Sequence, residues 1–530
     1  MTPGMRSRLG VTALLALGTG CAAPATTTPP TTTPAPQAAA APPAAAQESR
    51  TPTPGTATPL RRATHRELTR FSDSLLTDPM FRSANWGVLI VDPVAGDTLY
   101  SRNAGKLFMP ASNQKLLTGA TALAQLGPDF RYETRVLGAA YPVSGILTGD
   151  LAIVGSGDPS FSDSLAGDAM APLRALADSL AARGISEITG RLIRGGDAFP
   201  DSTLGYGWAW DDLDYGYSAP VDELFFNEGY ATIAVFGGAA PGAPVTVRTG
   251  PARGMPHIGR VDVVTGAWCC TERARVQWNG DVRGVHPAVN LTGSVRPGDS
   301  VTVSVAIRNP AAAWLDAFAE ALADRGIAVR GGVESAEVAD TTGMSVLATH
   351  TSPPLRDILR RFEKPSQNQI GELLFKTLGL VRTGSGTADS GRAVVERQLL
   401  AWGADSTGFA VRDGSGLSRH DYVSPETIVK VLDAMRRHPD FQVFYDALPI
   451  GGVDGTIEKR MIGTAAANNV RAKTGTLDKA RSLSGYVTAG DGRLLLFSIL
   501  ANNHVVANRE VERVQDAIVA LLATLRAGDR

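Results

Sequence analysis

Two similar segments, far apart in the chain, constrain its fold more than any other feature. The first, over 176–193, reads LADSLAARGISEITGRLI, and the second, over 318–333, reads FAEALADRGIAVRGGV. In each, a helical pattern of apolar residues ends at Arg-Gly-Ile and a strand-like run follows. This shared pattern indicates two halves of one domain. The sequence over 226–304 is rich in Val, Thr and Gly with strand-like alternation, which predicts a small β domain nested between them.

Helices and strands are predicted on both sides of this nested region. WGVLIVD at Trp86–Asp92, a turn and then Thr98–Ser101 predict a β-hairpin near the beginning. The other predicted elements are helices over Pro110–Leu126, Leu355–Leu380 (broken near Pro365), Thr427–Arg437 and Asn508–Leu525, and strands over Val470–Thr476, Ser482–Thr488 and Arg493–Ala501. We therefore expect an outer domain that the nested region interrupts.

The first 21 residues have the pattern of an export signal. Arg6 and Arg8 precede the apolar stretch Leu9–Leu17, which is shorter than the about 20 apolar residues that cross a bilayer. Cys21 follows small residues, as in a bacterial lipobox, and predicts a lipid-anchored periplasmic protein of the outer membrane. The alternative is ordinary cleavage and a soluble periplasmic protein. Residues 22–61, rich in Ala, Thr and Pro, predict a disordered linker.

Charge and metal-ligating residues exclude several functions. The net charge is −1 and no basic tract occurs, so nucleic acid is not an expected partner. The three cysteines and seven histidines show no metal-ligand spacing, which predicts neither a metal nor another cofactor. Cys269 and Cys270 are either a strained vicinal disulfide or two small buried residues.

A nucleophile is predicted in PASNQK, at the start of an apolar helical run. Residues three apart on a helix share a face, so Lys115 lies beside Ser112. A neutral lysine amine can accept the serine proton if burial or a nearby cation lowers its pKa. The alternative is a solvated helix start with a surface lysine.

Two further motifs carry polar groups suited to the same chemistry. Ser366 and Asn368, in KPSQNQ, stand at the predicted helix break and can point a hydroxyl and an amide into one cleft; the alternative is a helix cap. The KTGT motif over 473–476 lies on a predicted strand, where a lysine and two hydroxyls can hold a carboxylate. Its glycine allows a substrate backbone to approach. An edge-strand lysine before a turn is the alternative.

The order and contexts of the three motifs resemble the active-site serine penicillin-recognising enzymes. More narrowly, the chain resembles the class C low-molecular-mass penicillin-binding proteins, the D-alanyl-D-alanine carboxypeptidase/endopeptidases, over about 62–528. Further matching stretches are GDLAIVGSGDPS, GWAWDDLDYGYSAPVDELFFNEG, DGSGLSRHDYVSP and RAKTGTLDKARSLSGYV.

The resemblance implies an α/β (α+β) fold. A β-lactamase/transpeptidase-like domain, an antiparallel sheet with flanking helices, carries a nested insertion of two further domains. The expected division is a lipoprotein-type signal over 1–21, a linker over 22–61, a catalytic domain over 62–128 and 345–528, an inserted domain over 129–225 and 305–344, and a small β domain over 226–304.

The resemblance also implies a serine DD-peptidase that acts on peptidoglycan stem peptides, as a D-Ala-D-Ala carboxypeptidase, a D-Ala-diaminopimelate endopeptidase or both. β-Lactams are expected as covalent inhibitors. Ser112 corresponds to the nucleophile and Lys115 to the acylation base. Ser366 relays a proton to the leaving nitrogen, and Asn368 orients Lys115 and the substrate amide.

The same resemblance assigns the substrate-binding residues. Lys473, Thr474, Gly475 and Thr476 form the strand that holds the terminal carboxylate, and the backbone N–H groups of Ser112 and Thr476 form the oxyanion hole. Asp212, in WDD, matches a family position that contacts the diaminopimelate end. A surface or capping aspartate is the alternative.

Two departures from the family pattern leave these motifs intact. Glu363-Lys364-Pro365 stands where Asn-Lys often precedes the serine, and NEG replaces NEN near Asn227. The alternatives are a catalytically weak wall-binding lipoprotein, which the intact motifs oppose, and a β-lactam or D-amino-acid hydrolase on the same fold. The long insertion opposes a β-lactamase. The sequence leaves the carboxypeptidase-to-endopeptidase balance and the oligomeric state open.

Overall fold

The computed structural model describes residues 65–253, 255–266, 275–280 and 288–526. The predictions on the signal, Cys21, the linker and the Cys269-Cys270 pair lie outside these residues. Among the helices that the model describes, none is both long and apolar enough to cross a membrane.

The helices predicted from apolar periodicity begin and end within a few residues of the predicted positions, whereas those over 65–76, 163–166, 388–401 and 441–447 were not predicted. The described residues form eleven α-helices. They are α1 (His65–Leu76), α2 (Gln114–Leu126), α3 (Asp163–Ala166), α4 (Met170–Ala182), α5 (Pro310–Asp324), α6 (Leu355–Glu363), α7 (Asn368–Thr383), α8 (Ala388–Ala401), α9 (Pro425–Arg436), α10 (Phe441–Ala447) and α11 (Asn508–Leu522).

The strands fall into several sheets. In chain order they are β1 (Asn85–Asp92), β2 (Asp97–Arg102), β3 (Glu133–Gly138), β4 (Ile146–Leu147), β5 (Leu151–Val154), β6 (Glu187–Ile188), β7 (Leu192–Arg194), β8 (Tyr230–Phe236), β9 (Thr246–Gly250), β10 (Ile258–Thr265), β11 (Arg275–Gly280), β12 (Val289–Val295), β13 (Ser300–Ala306), β14 (Ala328–Val329), β15 (Val333–Val338), β16 (Ser345–Thr351), β17 (Phe409–Ala410), β18 (Tyr422–Val423), β19 (Arg471–Leu477), β20 (Ala480–Thr488) and β21 (Leu494–Asn502).

A five-stranded antiparallel sheet joins the two ends of the described chain, in the order β19-β20-β21-β1-β2. Successive side chains of a strand point to opposite faces. Val88 and Ile90 therefore pack with α1 and α11 on one face, whereas Leu89 packs with α2, α6 and α9 on the other. This sheet with its flanking helices confirms the predicted α/β fold class.

The two similar segments of the sequence lie side by side in the structure. Each consists of a helix, α4 or α5, and two following strands, and α4 packs against α5. The strands pair in parallel, β6 with β14 and β7 with β15. Two strands of these pairs belong to a second five-stranded sheet, in the order β15-β7-β5-β3-β16. The intervening sequence forms three-stranded sheets, β13-β8-β9 and β10-β12-β11.

One domain boundary drawn from the sequence differs from the strand pairing. The sequence division begins the second catalytic segment at residue 345. In the structure, Ser345–Thr351 (β16) pairs antiparallel with Glu133–Gly138 (β3), in the sheet of the inserted segment. Backbone pairing to a distant strand leaves no compositional mark on a short β-rich stretch. The pairing favours a boundary after Thr351.

Candidate active site

Ser112 lies in a tight turn at the start of α2. Residues Ala111–Asn113 form a 3₁₀ turn that continues directly into the helix. Ala111 has a positive φ of 48°, and the Gly416 backbone packs against its carbonyl so closely that a Cβ at Gly416 would overlap it. Ala111 and Asn113 are buried while Ser112 is partly exposed. The turn therefore leaves the Ser112 side chain partly exposed between two buried residues.

Lys115 is fully buried and its amine has three close neighbours. Nζ lies 2.9 Å from Ser112 Oγ, 2.6 Å from Asn368 Oδ1 and 2.7 Å from the carbonyl oxygen of Ser415. Burial, reinforced by repulsion from Lys473, holds the pKa of Lys115 well below its usual value. A neutral amine has two N–H donors and one lone pair. The two carbonyl oxygens can accept the donors, which leaves the lone pair for the Ser112 hydroxyl.

The loop between α6 and α7 carries the second motif, at the break that the sequence predicts. Ser366 has a positive φ of 66°, and its Oγ accepts a 2.7 Å hydrogen bond from Lys473 Nζ. Gln367 caps α7 by accepting a hydrogen bond from the N–H of Ile370. Asn368 is the first residue of α7, and its amide donates to the Tyr217 carbonyl at 2.7 Å while its oxygen faces Lys115. The structure thus brings the first two motifs into contact.

The third motif lies on β19, next to the Ser112 turn. Lys473 is fully buried, and burial lowers its pKa to about 8. The Thr474 hydroxyl donates to Thr456 at 2.7 Å, and Thr476 is exposed. Gly475 has no side chain, and a Cβ there would overlap Ser482 Oγ and the Pro110 carbonyl. The glycine therefore allows close packing of the strand on the turn.

Asp212 reaches the site through Tyr217. The Tyr217 hydroxyl donates to Asp212 Oδ1 at 2.6 Å, and the Tyr217 carbonyl accepts from Asn368. Burial, with the Asp212 carboxylate beside it, raises the pKa of Tyr217. Asp212 is half-buried while Asp211 is exposed. Of the two aspartates in WDD, Asp212 is the one that hydrogen bonds connect, through Tyr217, to Asn368 of the second motif.

Residues 69–525 match the model of the D-Ala-D-Ala carboxypeptidase 3 (S13) family. The chain belongs to this family. It is 37% identical over 471 residues to the D-alanyl-D-alanine carboxypeptidase of an Actinomadura species, an alignment that covers 86% of this chain and 84% of that protein. It is also 27% identical over 442 residues to D-alanyl-D-alanine carboxypeptidase DacB of Haemophilus influenzae, covering 82% of this chain and 89% of that one.

The fold is similar to that of a solved relative. The crystal structure of penicillin binding protein 4 (dacB) from Haemophilus influenzae superposes with a TM-score of 0.74 at 26% identity, covering 86% of this chain and 99% of that one. These findings confirm the predicted resemblance to low-molecular-mass penicillin-binding proteins and the predicted activity class, a serine-type D-Ala-D-Ala carboxypeptidase.

One part of this carboxypeptidase site was missed by sequence reasoning. The loop DGSG supplies the Ser415 carbonyl that contacts Lys115, and the buried Asp413 carboxylate shapes the loop. It accepts hydrogen bonds from the N–H groups of Gly416 at 2.6 Å and Ser418 at 2.7 Å, and from Trp208 Nε1 at 2.9 Å. The sequence does contain a signal, because an aspartate before Gly-Ser-Gly is typical of a side-chain-stabilised turn.

Two further buried carboxyl groups accept hydrogen bonds from main-chain N–H groups in and next to this loop. Glu372, on α7, accepts from the Gly414 N–H, and burial raises its pKa to about 8. Asp421 accepts from the N–H groups of Arg412 and Asp413, and burial raises its pKa well above the usual value. Neutral forms of these two acids limit the negative charge near Lys115.

Proposed function

We propose that this carboxypeptidase hydrolyses the terminal D-Ala-D-Ala bond of peptidoglycan stem peptides through an acyl-enzyme on Ser112. The single observation that carries the proposal is the 2.9 Å separation of Lys115 Nζ and Ser112 Oγ inside a buried environment. Ser112 Oγ attacks the carbonyl carbon of the penultimate D-alanine while its proton passes to the neutral Lys115 amine.

The second half of the acylation step needs a proton on the leaving nitrogen. Ser366 is suited to relay to it the proton that Lys115 took from Ser112, because its hydroxyl accepts a hydrogen bond from Lys473 and stands two residues before Asn368, which contacts Lys115. As the proton arrives, the C–N bond breaks, D-alanine leaves as an amine, and the acyl group remains on Ser112. Water then attacks the ester and gives a proton to the neutral Lys115 amine, and Lys115 donates a proton to the Ser112 oxygen as the ester bond breaks.

Substrate binding is assigned to the β19 strand. Lys473, when protonated, attracts the terminal carboxylate, and the hydroxyls of Thr474 and Thr476 donate to it. Gly475 keeps the strand within reach of the turn. The backbone N–H groups of Ser112 and Thr476 stabilise the oxyanion.

Endopeptidase activity on the D-Ala-diaminopimelate cross-link is the second candidate function. The contact of Asp212 with Tyr217, whose carbonyl is bonded to Asn368, supports it. A carboxylate in this position can pair with the amine of a diaminopimelate side chain. The same contact supports recognition of diaminopimelate in carboxypeptidase substrates.

The cellular setting follows from the family and from the first residues of the sequence. Enzymes that act on the cell wall work outside the cytoplasm, and the signal-like pattern supports export. We propose a periplasmic enzyme whose Cys21 carries a lipid anchor in the outer membrane, with residues 22–61 as the tether. We also propose the nested domain division given above, with the boundary at 344 moved to 351, as the β16 pairing favours.

The proposal is tested by incubating the purified protein with a penicillin and measuring intact mass, alongside Ser112→Ala. We expect a stable adduct on the wild-type protein alone, since β-lactams acylate the serine nucleophile. Absence of an adduct with intact penicillin would indicate a wall-binding protein without activity. Hydrolysed penicillin without an adduct would indicate a β-lactamase. An adduct on both proteins would place the nucleophile elsewhere.

A further inference from the structure

Glu363, at the end of α6, is a buried carboxylate that the steps above do not use. Its side chain is 0% exposed. The main-chain carbonyl of Glu363 accepts a hydrogen bond from the N–H of Ser366 at 3.2 Å. Within the part of the chain that the structure describes, neither carboxylate oxygen has a hydrogen-bond partner. A buried charge without hydrogen bonds is costly unless an opposite charge lies nearby.

The α2 helix has a space for this carboxylate. Gly119 lies one helical turn after Lys115, and a Cβ at Gly119 would come 2.6 Å from Glu363 Oε1. Glycine in a helix interior destabilises it relative to alanine by about 1 kcal/mol. The cost is explained if the position must leave room for the carboxyl group.

Two lysines from two different elements act on Glu363. Lys473 on β19 and Lys115 on α2 both attract it, and both are fully buried. Burial raises the pKa of Glu363 to about 7, and each lysine opposes this rise when it is protonated. In return, Glu363 opposes the loss of the Lys473 proton that burial favours. Lys115 also faces Asp413 and Glu372, whereas Glu363 is the acid that acts on Lys473.

We propose that Glu363 is a positioning residue that keeps Lys473 cationic, so that Lys473 can bind the carboxylate of the substrate while Lys115 stays neutral. The inference rests on the proposed role of Lys473. Glu363 also attracts Lys115, but burial and repulsion from the cationic Lys473 outweigh the acids that face Lys115, so that a charged Lys473 itself favours a neutral Lys115. The glutamate that departs from the family's sequence pattern thus has a function in this chain.

The test compares peptides that end in a free carboxylate with the same peptides ending in a carboxamide, over a range of pH, for wild type and Glu363→Gln. We expect the variant to raise KM for the free acid more than it lowers kcat. The ratio of kcat/KM for the free acid to kcat/KM for the amide should fall by about tenfold. The alkaline limb, the pH range in which kcat/KM for the free acid declines, should shift to lower pH by about one unit. A role in packing alone would change neither the preference nor the limb.

Asp158→Asn is the matched control. Asp158 is also buried, and one of its oxygens has no hydrogen bond among the described residues, but neither lysine is among the groups on which it acts. We expect this variant to keep the wild-type preference and pH limb. If Glu363→Gln does not fold, Gly119→Ala is the second variant. It retains the Glu363 charge but crowds the carboxylate, and the alkaline limb of kcat/KM should again shift to lower pH.

The outcomes separate the inference from the function on which it rests. An unchanged preference and limb in a folded Glu363→Gln protein would overturn the role of Glu363 while leaving Ser112 and Lys473 as assigned. A wild-type enzyme that does not distinguish acid from amide would overturn the carboxylate-binding role of Lys473, and the inference with it. Acylation of Ser112 by penicillin, measured separately, reports whether the nucleophile is intact in each variant.

Discussion

The side-chain amide of Asn113 donates a 2.8 Å hydrogen bond to the main-chain carbonyl of Lys473, and the bond is buried. It joins the turn that carries the nucleophile to the strand that binds substrate. Ser482 Oγ reinforces the junction by donating to the Pro110 carbonyl at 2.6 Å. The position of Ser112 relative to the strand is therefore set by hydrogen bonds from buried side chains to main-chain carbonyls.

Gly475→Ala should damage the enzyme at this junction. The added methyl would overlap the Pro110 carbonyl and Ser482 Oγ, so the strand must move away from the turn. We expect a loss of about 1–3 kcal/mol in unfolding free energy, the range for overpacked sites, and a fall of about 100-fold in penicillin acylation. Denaturant unfolding and acylation kinetics measure the two effects. Gly196→Ala, where the nearest atom lies 3.6 Å away, is the control and should be near wild type.

Lys115→Met should remove the base but leave the fold intact. Methionine matches the length of lysine and suits a buried site, but it cannot accept the Ser112 proton. We expect acylation by penicillin to fall by about 1,000-fold or more. The lost hydrogen bonds to Asn368 and Ser415 leave two acceptors unpaired, which lowers stability by about 1–3 kcal/mol. Acylation within tenfold of wild type would contradict the assignment of Lys115 as the base.

The pH dependence should follow the protonation of Lys473. Burial lowers the pKa of this lysine from the usual 10.5 to about 8. We therefore expect kcat/KM for a peptide with a free carboxylate to fall as the pH rises through about 8, because the carboxylate loses its cation. A profile that stays level to pH 10 would contradict this.

Whereas deprotonation of Lys473 lowers kcat/KM as the pH rises, the shifted pKa of Lys473 makes the folded protein more stable as the pH rises. Between pH 8 and 10.5 the unfolded chain binds the proton that the folded protein has lost. The contribution of Lys473 to the unfolding free energy therefore increases with pH across this window. Denaturant unfolding of wild type and Lys473→Met at pH 7 and pH 10 measures it, and the difference between the two proteins should change with pH.

Asp212→Ala should weaken cleavage of diaminopimelate-containing peptides more than cleavage of short D-Ala-D-Ala mimics. The carboxylate accepts a hydrogen bond from Tyr217, whose main-chain carbonyl is bonded to Asn368, and its charge can attract a cationic side chain. We expect about a tenfold difference in kcat/KM between the two substrate types, the value of one charge-assisted hydrogen bond. Asp211→Ala, at the exposed neighbour, is the control. Equal losses on both substrates would refute a recognition role for Asp212.

Local sequence was enough to predict the elements that carry the motifs. The break at Pro365 separates α6 from α7, and the predicted strand over 470–476 is β19 within one residue at each end. These predictions hold because apolar periodicity and helix punctuation act within a few residues. The helix-and-strand prediction for the two similar segments is confirmed for the same reason.

Contacts between distant residues could not be predicted in this way. The Ser415 carbonyl meets Lys115 from a loop 300 residues away, and the burial of Glu363 depends on α2 and β19 together. The local sequence, RRFEKP, is compatible with a solvated Glu363 and with a buried Glu363 alike. Tertiary packing decides between the two. The pairing of β16 with β3 is likewise a long-range contact that leaves no local signal near residue 344.

The central sheet pairs β1, near the start of the described chain, with β21, near its end. Asn113 and Lys473, which join the two sides of the site, are 360 positions apart. A chain emerging from a ribosome or a translocation channel thus carries Ser112 long before it carries the strands that complete the site. Such long-range pairing forms slowly. We expect the enzyme to be inert until almost the whole chain has emerged.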